Sequence, residues 1–516
     1  MVYCDRSRDL VPLLLALALV TPLAACGDSP PSGGGTGEET EQGDGDGDPG
    51  DGDPSGDGDP SGDGDPSGDG DPSGDGDPSG DGDPSGDGDG DDDPSDPKFD
   101  TLVTPDLGEE GPCNAGTNNA TLNGTVFAPN GTIPVGGALV YVTNSPPEGI
   151  PDGVYCAECV ALACGVDFTE TDIDGGFSLP TNSGLGKYLV VQKGQFMRVT
   201  QIDITPGPTN LPDAMVELPD VWDPAAGLYI PRIAVADGSF DRIEDALGKF
   251  GLGDTTISNF TETTIPGTES FALYDNGRNP STDGFVSQGT MTDLISNANE
   301  LAKYHIVFVP CSSDTHSDSI SPQSVDNIRD WVAAGGRWYV ADWSNEFMSS
   351  VFPEYQNFYD DGFGADLSSY DSLATVLDDG LLEWLEALPN PLKDINPLND
   401  ESHPTLYQLP QVMTVDNWSG IQYPLPEIWV DDGMGGQVNV GHVAWLEGPG
   451  DNFDIPQNPP HPLTVTGQFG CGKIQFTSYH TAEFFDYVGL SPQELVLIYT
   501  ILEIGVCQED LPPPQG

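Results

Sequence analysis

The sequence predicts a multidomain protein of 516 residues: a disordered acidic linker, an all-β sandwich, then a doubly wound α/β domain. Three observations carry that prediction. Residues 43–93 are almost wholly Gly, Asp, Pro and Ser, residues 118–218 alternate apolar and polar positions in short runs, and residues 229–507 alternate strand and helix periodicities.

Residues 1–25 read as a signal. Arg6 and Arg8 precede the apolar run 10–20, which is too short for a bilayer, and Leu23, Ala24 and Ala25 stand before Cys26. This resembles a bacterial lipoprotein signal, which implies cleavage before Cys26, its acylation, and attachment to a membrane by two or three acyl chains. The body is then expected on the cell membrane or outer membrane, facing periplasm or exterior.

Residues 26–100 form the spacer. Pro54, Pro60, Pro66, Pro72, Pro78 and Pro84 recur six apart in a GDGDPS repeat with nothing to bury, so the segment cannot fold alone. Carboxylate repulsion and proline extend it. Its Asp-Gly-Asp stretches suggest weak, diffuse calcium binding, but Pro falls where a calcium loop needs a further ligand and its glycine. No other cofactor is expected.

The chain holds 85 acidic against 15 basic residues, a formal net charge of −70. Only 26 of those acids lie in residues 28–100, so the body is acidic too. Such a surface repels nucleic acid, which is excluded as a partner. Of nine cysteines, Cys4 leaves with the signal and Cys26 takes lipid. Seven remain in an oxidising compartment, so at least one stays unpaired.

Residues 101–220 read as the sandwich. Strands are expected over 121–127, 138–142, 176–179, 187–192 and 197–204, each bounded by Gly, Pro or Asn. The order G-T-V-F, P-V-G-G-A-L-V-Y-V, T-D-x-D-G-G-F-S-L and Y-L-V-V resembles the carboxypeptidase regulatory-like domain. That resemblance implies a transthyretin-type, carbohydrate-binding-like fold without catalysis. Asp172, Asp174 and Gly175 suit a turn better than a calcium site. Cys156, Cys159 and Cys164 lie in an insertion and join Cys113 as four thiols. The spacing lacks a second C-x2-C for zinc, so two disulfides are expected among them, with the pairing open.

Residues 221–510 read as the α/β domain. Strands are expected at 229–236, 304–309, 337–341 and 474–478, and helices at 239–250, 322–334 and 492–504. Trp331 and Trp338 fall on faces expected to be buried. The runs K-Y-H-I-V-F-V-P-C, W-V-A-A-G-G-R-W-Y-V and F-G-C-G-K-I-Q-F-T-S-Y-H-T-A-E resemble the class I glutamine amidotransferase-like fold, a flavodoxin-like architecture. The resemblance implies a reactive cysteine on the turn after 337–341 and a histidine with an acid after the last strand. Here that turn reads Ala341-Asp342-Trp343-Ser344, without a thiol and without glycines for a strained bend, while His480 and Glu483 stand near the later positions.

With no nucleophile to deprotonate, His480 is expected as a hydrogen-bonded residue at the sheet's carboxyl edge. The expected function is therefore non-catalytic binding of an extracellular glycan or protein, with Asp342, His480 and Glu483 as the binding set. The alternative is a hydrolase using Cys311, at the end of a neighbouring strand, with His480 and Glu483. A metal reading would gather Asp342, His480 and Glu483 with His316, but no metal site is assigned. Cys471 and Cys507, at the start of the last strand and the end of the returning helix, are expected to bridge, leaving Cys311 unpaired.

Overall fold

The computed structural model describes residues 118–157, 160, 162–163, 165–312, 320–359, 369–395, 406–431, 435–450, 457–482 and 487–504. The expectations at Cys26, Cys113, Cys159, Cys164, His316, Glu483, Cys507 and the spacer lie outside these residues.

The first part is two β-sheets. β1 (Ala120–Thr125), β2 (Leu139–Thr143), β3 (Asp167–Glu170), β4 (Gly176–Thr181), β5 (Gly184–Lys193), β6 (Phe196–Ile204), β7 (Gly207–Asn210) and β8 (Leu228–Tyr229) pair as β4-β1-β7 and β3-β2-β5-β6-β8. β8 lies beyond residue 220, so the second sheet is completed by residues expected in the next domain. The Asp172–Gly175 segment is a turn: Gly175 N–H donates to Asp172 O at 2.8 Å, and Gly175 has φ 78°. A side chain there would also run into the Val126 carbonyl.

The remaining strands are β9 (Ile233–Gly238), β10 (Thr255–Ser258), β11 (Thr261–Thr264), β12 (Ala272–Asn276), β13 (Ser287–Thr290), β14 (Ile306–Val309), β15 (Arg337–Ala341), β16 (Tyr370–Val376), β17 (Tyr407–Gln408), β18 (Gln411–Asn417), β19 (Trp429–Asp431), β20 (Gln437–Asn439), β21 (Val443–Gly448), β22 (His461–Phe469) and β23 (Gly472–Thr477). The helices are α1 (Ile243–Leu247), α2 (Met291–Ile295), α3 (Ala298–Leu301), α4 (Pro322–Ala333), α5 (Glu346–Ser349), α6 (Asp379–Ala387) and α7 (Pro492–Ile504). An 11-stranded sheet runs β13-β12-β9-β14-β15-β23-β22-β21-β16-β18-β17. Its β13-to-β23 half is parallel and its β22-to-β17 half antiparallel. The expected parallel sheet is thus only half of the observed one. Most of the added strands fall in the stretch 345–460 that no motif identified.

The alternation of side chains along each parallel strand feeds two cores. Ala234, Val307, Trp338, Val340 and Phe476 pack with α2, α4 and α5, including Trp331 of α4. Val235, Phe308 and Tyr339 pack on the other face with α1, α6 and α7. Helices therefore cover both faces, as a parallel sheet requires. The sandwich interior, with Val126, Leu189 and Phe196, belongs to that second core. Phe196 meets Phe250 edge-on at 5.7 Å, and Trp384 Nε1–H donates to Pro134 O at 3.1 Å. A buried Lys193–Glu503 pair at 2.8 Å crosses the same boundary.

The insertion of the sandwich reaches the amino edge of the large sheet. His305 Nε2 lies 3.1 Å from Pro151 O, Val154 N–H donates to Ala302 O at 3.0 Å, and Arg232 meets Asp152 at 3.1 Å. This route brings Cys156 to the β22–β23 turn, where it bonds to Cys471 with a Cα–Cα distance of 5.3 Å. The expected Cys471–Cys507 bridge is corrected, and so is the confinement of Cys156 to pairs within the sandwich. The physical reason is that the insertion crosses to a distant element instead of folding back on its own strands. Cys471 N–H donates to Ala333 O at 3.0 Å, which holds the turn against the end of α4.

Non-reducing peptide mapping should recover the Cys156 and Cys471 peptides joined. Replacing both by serine should lower stability by about 2–5 kcal/mol, because the bridge closes a very long loop in the unfolded chain; chemical denaturation measures it.

Candidate functional site

Four parallel strands deliver the site. β9 and β14 leave the sheet in opposite directions, and beyond their carboxyl ends lies the place where open α/β sheets take ligands. Here that crevice is stitched. Phe240 N–H donates to Cys311 O at 3.3 Å and Ser239 N–H to Ser312 Oγ at 3.0 Å, while a side chain at Gly238 would collide with the Cys311 carbonyl. Ser344 Oγ donates to Pro310 O at 2.7 Å, tying the end of β14 to the bend after β15.

At that bend Asp342 adopts φ 49°. The strained elbow therefore exists without glycine, contrary to the expectation from sequence. An aspartate tolerates the left-handed region better than most residues, because its short polar side chain bonds locally. Asp342 Oδ1 accepts the Trp418 N–H at 3.0 Å, and Oδ2 lies 3.1 Å from His480 Nε2. The carboxylate is 0% exposed, His480 3% and Cys311 0%. A donor atom from each of Cys311, Asp342 and His480 lies within 4.8 Å of the other two.

The chain around His480 is held by its own partners. Asp241, just beyond β9, accepts Thr481 N–H at 2.9 Å and Ala482 N–H at 2.8 Å. Gln493 on α7 donates to His480 O at 2.7 Å and to Val415 O at 2.9 Å. Nothing in the sequence singled out Asp241 or Gln493. An acid right after the first parallel strand was the one available signal.

Burial sets the electrostatics. It pushes the Cys311 thiol up to about 12, with the His480 imidazole opposing it. It raises Asp342 to about 6, again against His480. Asp241 is also raised by burial. A thiol held neutral in this way is a poor nucleophile.

Phe240, Trp343 and Trp418 flank the elbow, with ring centroids 5.7 Å and 5.0 Å apart along the row. Phe240 is 38% exposed, and the two tryptophans are partly exposed. They form a half-open aromatic ledge above the buried groups.

A second charged cluster sits at the ends of β9 and β12. Arg278 meets Asp237 at 3.3 Å, Glu244 at 2.7 Å and Asp283 at 2.8 Å, with Arg242 3.5 Å from Glu244. Asp237, Glu244 and Asp283 all meet the Arg278 guanidinium within 3.3 Å, with Arg242 as a second cation, so their titrations are coupled. Burial pushes Asp237 up to about 8, opposed by Arg242 and reinforced by Asp283, Asp245 and Asp275.

No protein-family model and no curated protein sequence matches the chain. Among solved structures it is similar to the cytoplasmic protein STM3548 of Salmonella typhimurium, with a TM-score of 0.27, 12% identity, and coverage of 54% of this chain and 100% of that one. A ThuA-like protein of Bacteroides uniformis gives 0.25 and 13%, over 43% of this chain and 78% of that one. A cold-adapted β-galactosidase of Rahnella gives 0.23 and 13%, over 57% and 34%. With scores this low, the fold rests on the chain's own strand order.

Asp342→Ala strands the Trp418 N–H and leaves alanine in the left-handed region, so it should cost about 2–4 kcal/mol. Asp342→Asn keeps an acceptor and tolerates that backbone, and should cost less than half as much. Urea midpoints distinguish them.

The folded state holds a proton on Asp237 that the unfolded chain releases above its ordinary range. Its contribution is therefore present at low pH and lost as pH rises through about 8. Buried His305 and His442, pushed down to about 3, are neutral in both states above pH about 7 and add no slope there. Stability should fall between pH about 7 and 8.5, by up to about 1.4 kcal/mol per pH unit. Asp237→Asn should flatten that fall in thermal scans.

Proposed function

We propose that the chain is a lipid-anchored, surface-displayed lipoprotein with a non-catalytic binding role, recognising an extracellular glycan or protein. One observation carries the non-catalytic half. The elbow position holds a fully buried carboxylate whose two oxygens face Trp418 and His480 inside the protein. It acts as an internal latch.

The binding half draws on the aromatic ledge. Phe240, Trp343 and Trp418 offer ring surface beside polar backbone, the combination on which sugars and protein side chains stack. The anchoring half draws on the residues before Cys26, which resemble a lipoprotein signal, and on the acidic repeat, which would hold the body away from the membrane. The sandwich adds the carboxypeptidase regulatory-like strand motifs, a domain type without catalysis. Net charge sets nucleic acid aside as a partner.

A second reading is favoured by the convergence of Cys311, Asp342 and His480 within 4.8 Å: a thiol hydrolase with His480 as base and Asp342 as its orienting acid. The thiol's burial and its raised pKa weigh against it.

The full mature protein should bind reproducibly to members of a glycan array or to an extracellular protein, at least about 10-fold more weakly after Trp418→Ala. It should not hydrolyse amide or ester substrates. Turnover that stops in His480→Ala would replace the binding reading by the hydrolase. Incorporation of labelled fatty acid should be lost in Cys26→Ala.

A further inference from the structure

Cys311, Asp342 and His480 come from three strands and meet at one edge of the sheet, and they bring three different donor types. A thiol sulfur, a carboxylate oxygen and an imidazole nitrogen lie within 4.8 Å of one another, all shielded from solvent. The oxygen-to-nitrogen spacing is 3.1 Å. A tetrahedral ion with bonds of about 2.0–2.1 Å to such ligands sets them about 3.3 Å apart. For the oxygen–nitrogen pair the match needs only a small adjustment, and the sulfur lies within 4.8 Å of both.

The orientation of the ligands is built in. Asp342 Oδ1 is occupied by the Trp418 backbone N–H, which turns Oδ2 toward His480 Nε2 at 3.1 Å. The left-handed backbone at Asp342 aims the same group. The His480 carbonyl is fixed by Gln493, and the Cys311 carbonyl by Phe240 N–H. Metal sites use outer partners bonded to the ligand group itself, as Trp418 N–H is to Asp342, to orient their ligands, while the carbonyl contacts fix the backbone that carries the other two. One sulfur, one nitrogen and one oxygen select a borderline-soft ion over calcium or magnesium, which take oxygen alone.

We propose that Cys311, Asp342 and His480 form a buried site for a divalent transition-metal ion of the zinc class, with water as fourth ligand. Binding breaks the Cys311 S–H bond, forms a metal–sulfur bond and releases one proton to solvent, with no change of oxidation state. The site does not depend on what the aromatic ledge recognises. Loss of ligand binding and loss of metal binding are separate results.

The test refolds the full chain with cobalt(II), so that the buried position can load, and reads absorption. The Asp-rich spacer also attracts divalent ions, so total metal content does not decide the matter. The expected result is near-ultraviolet thiolate-to-cobalt absorption with tetrahedral visible bands, saturating at about one equivalent and abolished by zinc. Cys311→Ser, isosteric and checked for native circular dichroism, should lose the thiolate absorption. His480→Ala and Asp342→Asn should weaken binding more than about 100-fold, beyond what outer-partner losses produce. Weak binding without a thiolate band in the unaltered protein overturns the proposal, and so does a band that persists in Cys311→Ser.

Discussion

The buried carboxylate of Asp342 is the interaction on which this sheet edge depends. It links the bend after β15 to the chain after β18 through Trp418 and to the chain after β23 through His480. Removing a charged or polar group from water is costly unless its oxygens are engaged, so the carboxylate holds its neighbours as firmly as they hold it. The unfavourable φ of 49° is tolerated for the same reason. Asp241 repeats the device two strands away, accepting two backbone N–H groups just past His480.

The architecture places ordinary chemistry-bearing residues where a doubly wound sheet presents ligands, and then encloses them. Backbone contacts join the ends of β9 and β14, and the thiol, acid and imidazole lie inside that closure. Among the described residues, ring surface of Phe240, Trp343 and Trp418 remains accessible at this edge. Inner polar groups and outer aromatic surface therefore serve different purposes within one small region.

Much of the fold was legible. The strand 337–341 and the helix 492–504 match their expected limits, and 322–333 falls within one residue, because buried strands and amphipathic helices have strong periodicities. The antiparallel half was not, since strands such as β16 and β21 carry polar and aromatic residues in mixed order. Of the site, Cys311, Asp342 and His480 were all singled out in the sequence, but their closeness depended on strand order. Glycine rules missed the elbow because hydrogen bonds, and not a missing side chain, support its backbone. The Cys156 pairing was hidden for a different reason: pairing needs three-dimensional proximity, and the insertion travels far from its own strands.

That covalent link has a mechanical meaning. Cys156 and Cys471 are 315 residues apart in sequence, and the segment between them contains all of β9 to β22. Tension applied to the chain before the first cysteine and after the second passes through the sulfur bridge, leaving most of the large sheet outside the line of force. Stretching would draw out the early sandwich strands and the final strand and helix, while the central sheet stayed slack within its loop.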